Sequence, residues 1–308
     1  MVFETFGERN KNNGGGGKET YKYIGEKIEK NTPQERDFTN DPYETAEINR
    51  DLKSIEQYQQ KKKIEKERGI ADSKIEEYAI VKGLGEDDWF GDYQRDEDII
   101  GEKGRDATTY FASEYDDFTN HIDAVVVVKN ADTKFTTLPF AIDMTYRENL
   151  SELNQKFGWK HRKLGLAGLA EVKYFEDSDA FEEPEIPKGK IEVLPRFVVG
   201  FSESLADELV KGELGRSDWD KLALEELETK AKFCVLNELK DQAGQLLGVL
   251  EDKREESLEM RQLYNKVRLL DGYFGNALET ARQGDVRGLE DYIDEDRVAR
   301  RLLTRKLG

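Results

Sequence analysis

His121-Ile122-Asp123-Ala124-Val125-Val126-Val127-Val128, read together with Leu138-Pro139-Phe140-Ala141-Ile142-Asp143-Met144-Thr145-Tyr146, decides the fold. Both segments are rich in β-branched and apolar residues, and a polar run separates them, the pattern of two antiparallel strands joined by a loop. A turn near residue 133 pairs positions whose numbers add to 266, which sets Asp123 opposite Asp143. Directly opposed residues have Cβ atoms roughly 5 Å apart. Two carboxylates that close repel each other, and a proton on one of them or a cation between them relieves the repulsion. Mg2+ or Mn2+ is the cation expected, because hard divalent ions prefer carboxylate and water oxygens.

Outward from this hairpin, residues 106–118 read as a helix, with Tyr110, Phe111 and Tyr115 on or near one face and Glu114 one turn before Phe118. On the other side, residues 148–165 read as an amphipathic helix, followed by a strand at 170–175, an acidic loop at 176–190 and a strand at 191–201. From Ser204 onward the apolar residues recur at helical spacing, Leu222 to Leu250 and again Leu258 to Ala281. Two long antiparallel helices joined near residues 252–255 are expected, with a shorter tail helix carrying Val298 and Leu302. Upstream, Asp41-Pro42-Tyr43-Glu44 combines a cap, a first-turn proline and an acid, so a helix is predicted from there to about Arg68. A shorter helix is expected over 73–82. The expected organisation is a flexible arm at 1–40, a helical extension at 41–85, an α/β core at 86–203 and a helical domain at 204–308. The fold class is α+β.

Charge narrows the function. With 48 Lys+Arg against 66 Asp+Glu, the net charge of −18 argues against a surface that binds nucleic acid all over, and leaves only a local basic patch. Cys234 is the only cysteine, so no intramolecular disulfide and no Cys-based zinc site can form, as suits a reducing compartment. It falls on an apolar helical stripe, which makes it a buried thiol rather than a nucleophile. The longest apolar run, around Ala124 to Val128, is far short of the roughly 20 residues that span a membrane. A cytoplasmic protein without a membrane partner is expected. The run Gly14-Gly15-Gly16-Gly17-Lys18 is not a phosphate loop, since Asn12 and Glu19 occupy positions that the motif gives to Gly and Ser/Thr.

The order helix, hairpin, helix, strand, with acids on the first helix and on both hairpin strands, resembles the PD-(D/E)XK nuclease superfamily over roughly residues 106–202. That resemblance implies a restriction-endonuclease-like mixed sheet flanked by helices. It also implies that Asp123 and Asp143 hold one or two Mg2+ or Mn2+ ions with help from Glu114 on the preceding helix. The family places a lysine two residues after the second acid, where this chain has Thr145, and a proline where it has Ile122. Thr145 shares a strand face with Asp143 but carries no charge. Some members recruit the lysine from the next helix, and Lys156, Lys160 and Lys163 stand there at i, i+4 and i+7, beside His161 and Arg162. Lys156 is the nearest in sequence and the first choice for the catalytic cation. The implied activity is metal-dependent hydrolysis of phosphodiester bonds in DNA, with Lys160, Arg162 and Lys163 on the phosphate backbone. The alternative is a catalytically inactive nuclease-like scaffold that engages a protein or nucleic acid, with the C-terminal helices at 218–283 turned toward a protein partner. On that view the two aspartates cap strand ends and the lysines form the wet face of a helix.

Overall fold

In a computed structural model of the protein, the described residues are 32–39, 42–67, 74–85, 89–90, 107–129, 137–145, 150–161, 163–176, 186–202, 204–206, 208–209, 221–283, 296, 298–299 and 302. The glycine run at 14–17, Arg162 and most of the acidic stretch at 86–102 lie outside them. A 3-10 turn over Glu35–Phe38 precedes helices α1 (Thr45–Glu67) and α2 (Lys74–Gly85). Next come β1 (Ala107–Phe111), α3 (Glu114–Asn120), β2 (Ala124–Lys129), β3 (Thr137–Met144) and α4 (Leu150–Gly158). Strands β4 (Leu169–Phe175) and β5 (Gly189–Val199) complete the sheet, and α5 (Lys221–Glu251) and α6 (Leu258–Gln283) form the long helical pair.

The five strands form one mixed sheet in the order β1-β2-β3-β5-β4. Strands β1, β2 and β3 run antiparallel in sequence, β3 pairs with β5 in parallel, and β4 closes the edge antiparallel to β5. The expected hairpin register holds: Ala124 faces Ile142 and Val125 faces Ala141. The expected helix over 106–118 is replaced by β1 and the short α3. Thr108, Thr109, Tyr110 and Phe111 favour extended backbone, and Ser113 starts a new helix by accepting a hydrogen bond from Asp116 N at 3.1 Å. The last part of the expected flexible arm is also structured, since Phe38 is fully buried against Ile48 and Tyr174.

Strand alternation sorts the sheet into two faces. Val126, Phe140, Ile142, Phe197 and Val199 pack with Ile80 and Leu84 of α2, Phe233 of α5 and Phe274 of α6. Val125, Val127 and Ala141 face the other way, with Val172 and Leu194. On that second side α4 lays Leu153 and Phe157 against Val198, with Val298 and Leu302 from the chain end.

Beyond Pro195, the last residue of β5 that β4 pairs, Arg196 N donates to Gly168 O at 2.9 Å and side chains then complete the buried edge. Gln242 of α5 accepts from Val198 N at 2.8 Å and donates to Val198 O at 2.6 Å. One turn earlier, Glu238 accepts from Gly200 N at 2.8 Å, and Asp296 accepts from Ser202 N at 2.9 Å. Gln242 stands in for an absent neighbouring strand, and with the two acids it meets the backbone's demand for partners. Burial holds the Glu238 carboxyl well above the usual carboxylate range, Asp296 adds to this and the Gly200 N–H opposes it. Gly200 sits here because a Cβ would overlap the carbonyl oxygen of Thr145.

Candidate active site

Asp143 lies one residue before the end of β3, on the face covered by α4, and is 2% exposed. Each of its oxygens meets a cation: Lys156 donates to Oδ1 and Arg196 donates through Nη2 to Oδ2. The Lys156 ammonium also donates to the carbonyl of Met144 at 2.5 Å. Arg196 comes from β5, where parallel pairing sets it across from Ala141, two residues before Asp143. Its Nε donates to His121 O at 3.2 Å and its Nη1 to Lys156 O at 2.9 Å. A single guanidinium thus ties together the lead into β2, the end of β3 and helix α4. The rigid fork of donors on Arg suits this task, whereas an ammonium has no such geometry.

Asp123 extends the hairpin by one position, its N–H bonded to Ile142 O at 2.9 Å and its carbonyl accepting from Ala112 N at 3.0 Å. The side chain reaches across to β3, where Oδ2 accepts from Met144 N at 2.6 Å. Asp123 and Asp143 therefore meet at one end of the hairpin, with the Lys156 ammonium beside them. Burial pushes the Asp123 carboxyl well above its ordinary range; Glu77, Asp117 and Asp143 push the same way, and Lys156 opposes them. For Lys156, burial alone would lower the ammonium, but Asp143, Asp123 and the hydrogen bond to Asp143 outweigh it and raise its pKa. The Lys156 side chain stays 27% exposed, so the pair of acids opens toward solvent through this lysine.

Helix α3 delivers Asp123 to its place. Asp116 in its first turn is fully buried and accepts four hydrogen bonds, from Ser113 Oγ at 2.9 Å, Asn120 Nδ2 at 2.7 Å, Lys173 N at 2.8 Å and Tyr174 N at 3.0 Å. These bonds fix α3 to β4, and the chain leaves the helix at His121, two residues before Asp123.

The other expected site residues are distributed less favourably. Thr145 is buried at the end of β3, its N–H on Val199 O at 2.9 Å and its Cγ2 turned toward Gly200. Glu114 is exposed and accepts from Gln59 of α1 at 2.6 Å. Helix α4 ends at Gly158, so Lys160 and Lys163 do not continue the helical face that carries Lys156. Lys160 is exposed and bridges to Ala167, and Lys163 pairs with Glu192 at 3.0 Å on the open surface. Gly158 is the last helical residue, and glycine is among the weakest helix formers. Two participants were missed from sequence. Arg196 sits in the apolar second half of β5 and reaches Asp143 through the long-range pairing of β5 with β3, and the charge of Glu77 on α2 acts on Asp123.

Among the described residues, no group of three His, Cys, Asp or Glu side chains is placed to hold a metal ion. No described helix is long and apolar enough to cross a membrane. The chain matches no protein-family model, no curated protein and no solved structure.

Proposed function

We propose that the protein is a phosphodiesterase of the restriction-endonuclease-like type, acting on DNA, with its centre at Asp123, Asp143 and Lys156. The observation that carries this reading is the Lys156 ammonium on Asp143 Oδ1, beside Asp123. A lysine from the helix after the hairpin thereby takes the place left vacant by Thr145. Its cation is set to face the charge that builds on a scissile phosphate. Asp143 orients Lys156, and Arg196 keeps Asp143 and the α4 backbone in one arrangement.

The donor set fits a hard divalent cation in kind. Asp123 and Asp143 offer carboxylate oxygens, and Glu77, Asp117 and Asp143 all drive Asp123 toward its neutral form, a surplus of negative charge that a cation offsets. Asp123 and Asp143 would hold the ion with water completing its shell, and Lys156 would share Asp143 with it. Such an ion, when bound, polarises a phosphoryl oxygen and lowers the pKa of bound water. Melting in millimolar Mn2+ tests this part: the melting temperature should rise through binding to the folded state and the rise should vanish in Asp123→Asn. The absence of any rise in the parent protein would remove the metal from the account.

A second reading, a nuclease-like scaffold without turnover, is favoured by Arg196. Its side chain is 2% exposed, and with Lys156 it occupies both oxygens of Asp143, as a structural ion lock would. The two readings separate on whether DNA is cut.

A further inference from the structure

His121 is the one non-glycine residue with a positive φ, 54°, among those described. This left-handed conformation closes α3, a position that Gly or Asn usually fills because a Cβ is disfavoured there. The closing bonds are made by backbone alone, Ile122 N donating to Asp116 O at 3.3 Å and the His121 N–H turning to the same carbonyl. The imidazole has no part in the cap. It stands exposed and meets the indole of Trp159 edge to face, with ring centroids 4.3 Å apart and planes at 80°. Trp159 follows the end of α4, three residues after Lys156, and is itself part exposed. His121 is exposed and Trp159 part exposed, so ring surface of the pair reaches solvent.

The pair is tied to the acidic centre. The His121 carbonyl accepts from Arg196 Nε at 3.2 Å, and the same guanidinium holds Asp143. Asp143, Arg196 and Lys156 all act electrostatically on the imidazole. Two aromatic rings are therefore held by short main-chain links beside the cluster of Asp143, Lys156 and Arg196.

We propose that His121 and Trp159 form a stacking platform for a nucleobase next to the phosphate handled by Lys156, so that the ligand is a single strand or a frayed end. Inside a duplex both faces of a base are covered by its neighbours, and only an unpaired base can lie on a side-chain ring. This assignment rests on the phosphodiesterase reading and adds the strandedness of the substrate to it.

The test is binding of a fluorescent single-stranded DNA oligonucleotide to the full chain, read by anisotropy in the presence of a chelator so that no cutting occurs. Trp159→Ala and His121→Gly should each weaken binding about fivefold or more, the scale of losing one stacked base. Glycine at 121 suits the left-handed backbone, so this variant keeps the helix cap, and Trp159→Phe should recover part of the loss. On an oligonucleotide of abasic sites the variants should bind as the parent does, and duplex should bind the parent more weakly than single strand. Variants that bind the normal strand as the parent does, or a parent that binds abasic DNA as well as normal DNA, would overturn the platform. Binding with this pattern but without cleavage in Mn2+ would keep the platform and discard hydrolysis.

Discussion

Arg196 donates from Nη1 to the main-chain carbonyl of Lys156 at 2.9 Å, so a buried guanidinium on the sheet grips the backbone of the residue whose ammonium reaches Asp143. The acid, its cation and the helix that carries the cation are therefore fixed by one side chain. Shifting any of the three disturbs the other two.

Arg196→Met should destabilise the fold by about 3–5 kcal/mol, the cost of stripping one partner from a buried ion pair. Arg196→Lys should recover only part of this, since one ammonium does not reproduce bonds to Asp143, His121 O and Lys156 O at once. Urea titration of the three proteins measures both. Equal stability of Arg196→Lys and the parent would show that charge alone matters here.

Asp123 gives stability a pH dependence of known sign. Its carboxyl is raised in the folded state by burial and by Glu77, so the folded protein binds its proton more tightly than the unfolded chain does. Its contribution is full below the ordinary carboxylate value of about 4 and is lost as pH rises through the folded-state value. In Asp123→Asn, whose amide oxygen still accepts from Met144 N, this loss should disappear. Melting temperature against pH should therefore fall less steeply for the variant from about pH 4 upward. Parallel curves would refute the assignment of this slope to Asp123.

Gln242 completes the edge of β5 with two bonds to Val198. Gln242→Ala should cost about 2–4 kcal/mol by orphaning a buried N–H and a buried C=O. Gln245→Ala, one turn nearer solvent, should cost much less. Chemical denaturation compares them.

How much of this could be read from the chain depends on the range of the interactions. The β2–β3 register was legible because Val125 to Val128 and Phe140 to Ile142 form two apolar runs about one polar loop, and the reading of residues summing to 266 agrees with Ala124 facing Ile142. Lys156 was legible as the nearest in sequence to Asp143 of the three lysines expected on the next helix, and it is the one that reaches Asp143. Helix 106–118 was misread because Tyr110, Phe111 and Tyr115 satisfy a helical spacing as well as a strand, although Thr108, Thr109 and the cap at Ser113 carried the opposite signal. Lys160 and Lys163 lie beyond Gly158, the last residue of the helix expected to carry them. Arg196, Glu238 and Gln242 are not legible because polar residues are common in β5 and α5, and the groups that these three satisfy lie dozens of residues away. No local pattern encodes such a partner.

The central claim is that Asp123, Asp143 and Lys156 hydrolyse a phosphodiester, and cleavage of DNA in Mn2+ tests it most directly. The parent protein should cut, Lys156→Ala should slow cutting by about a hundredfold, as loss of one positioned electrostatic donor does, and Lys53→Ala on the exposed face of α1 should cut as the parent does. Equal rates for Lys156→Ala and the parent, or a parent that leaves DNA intact, would contradict it.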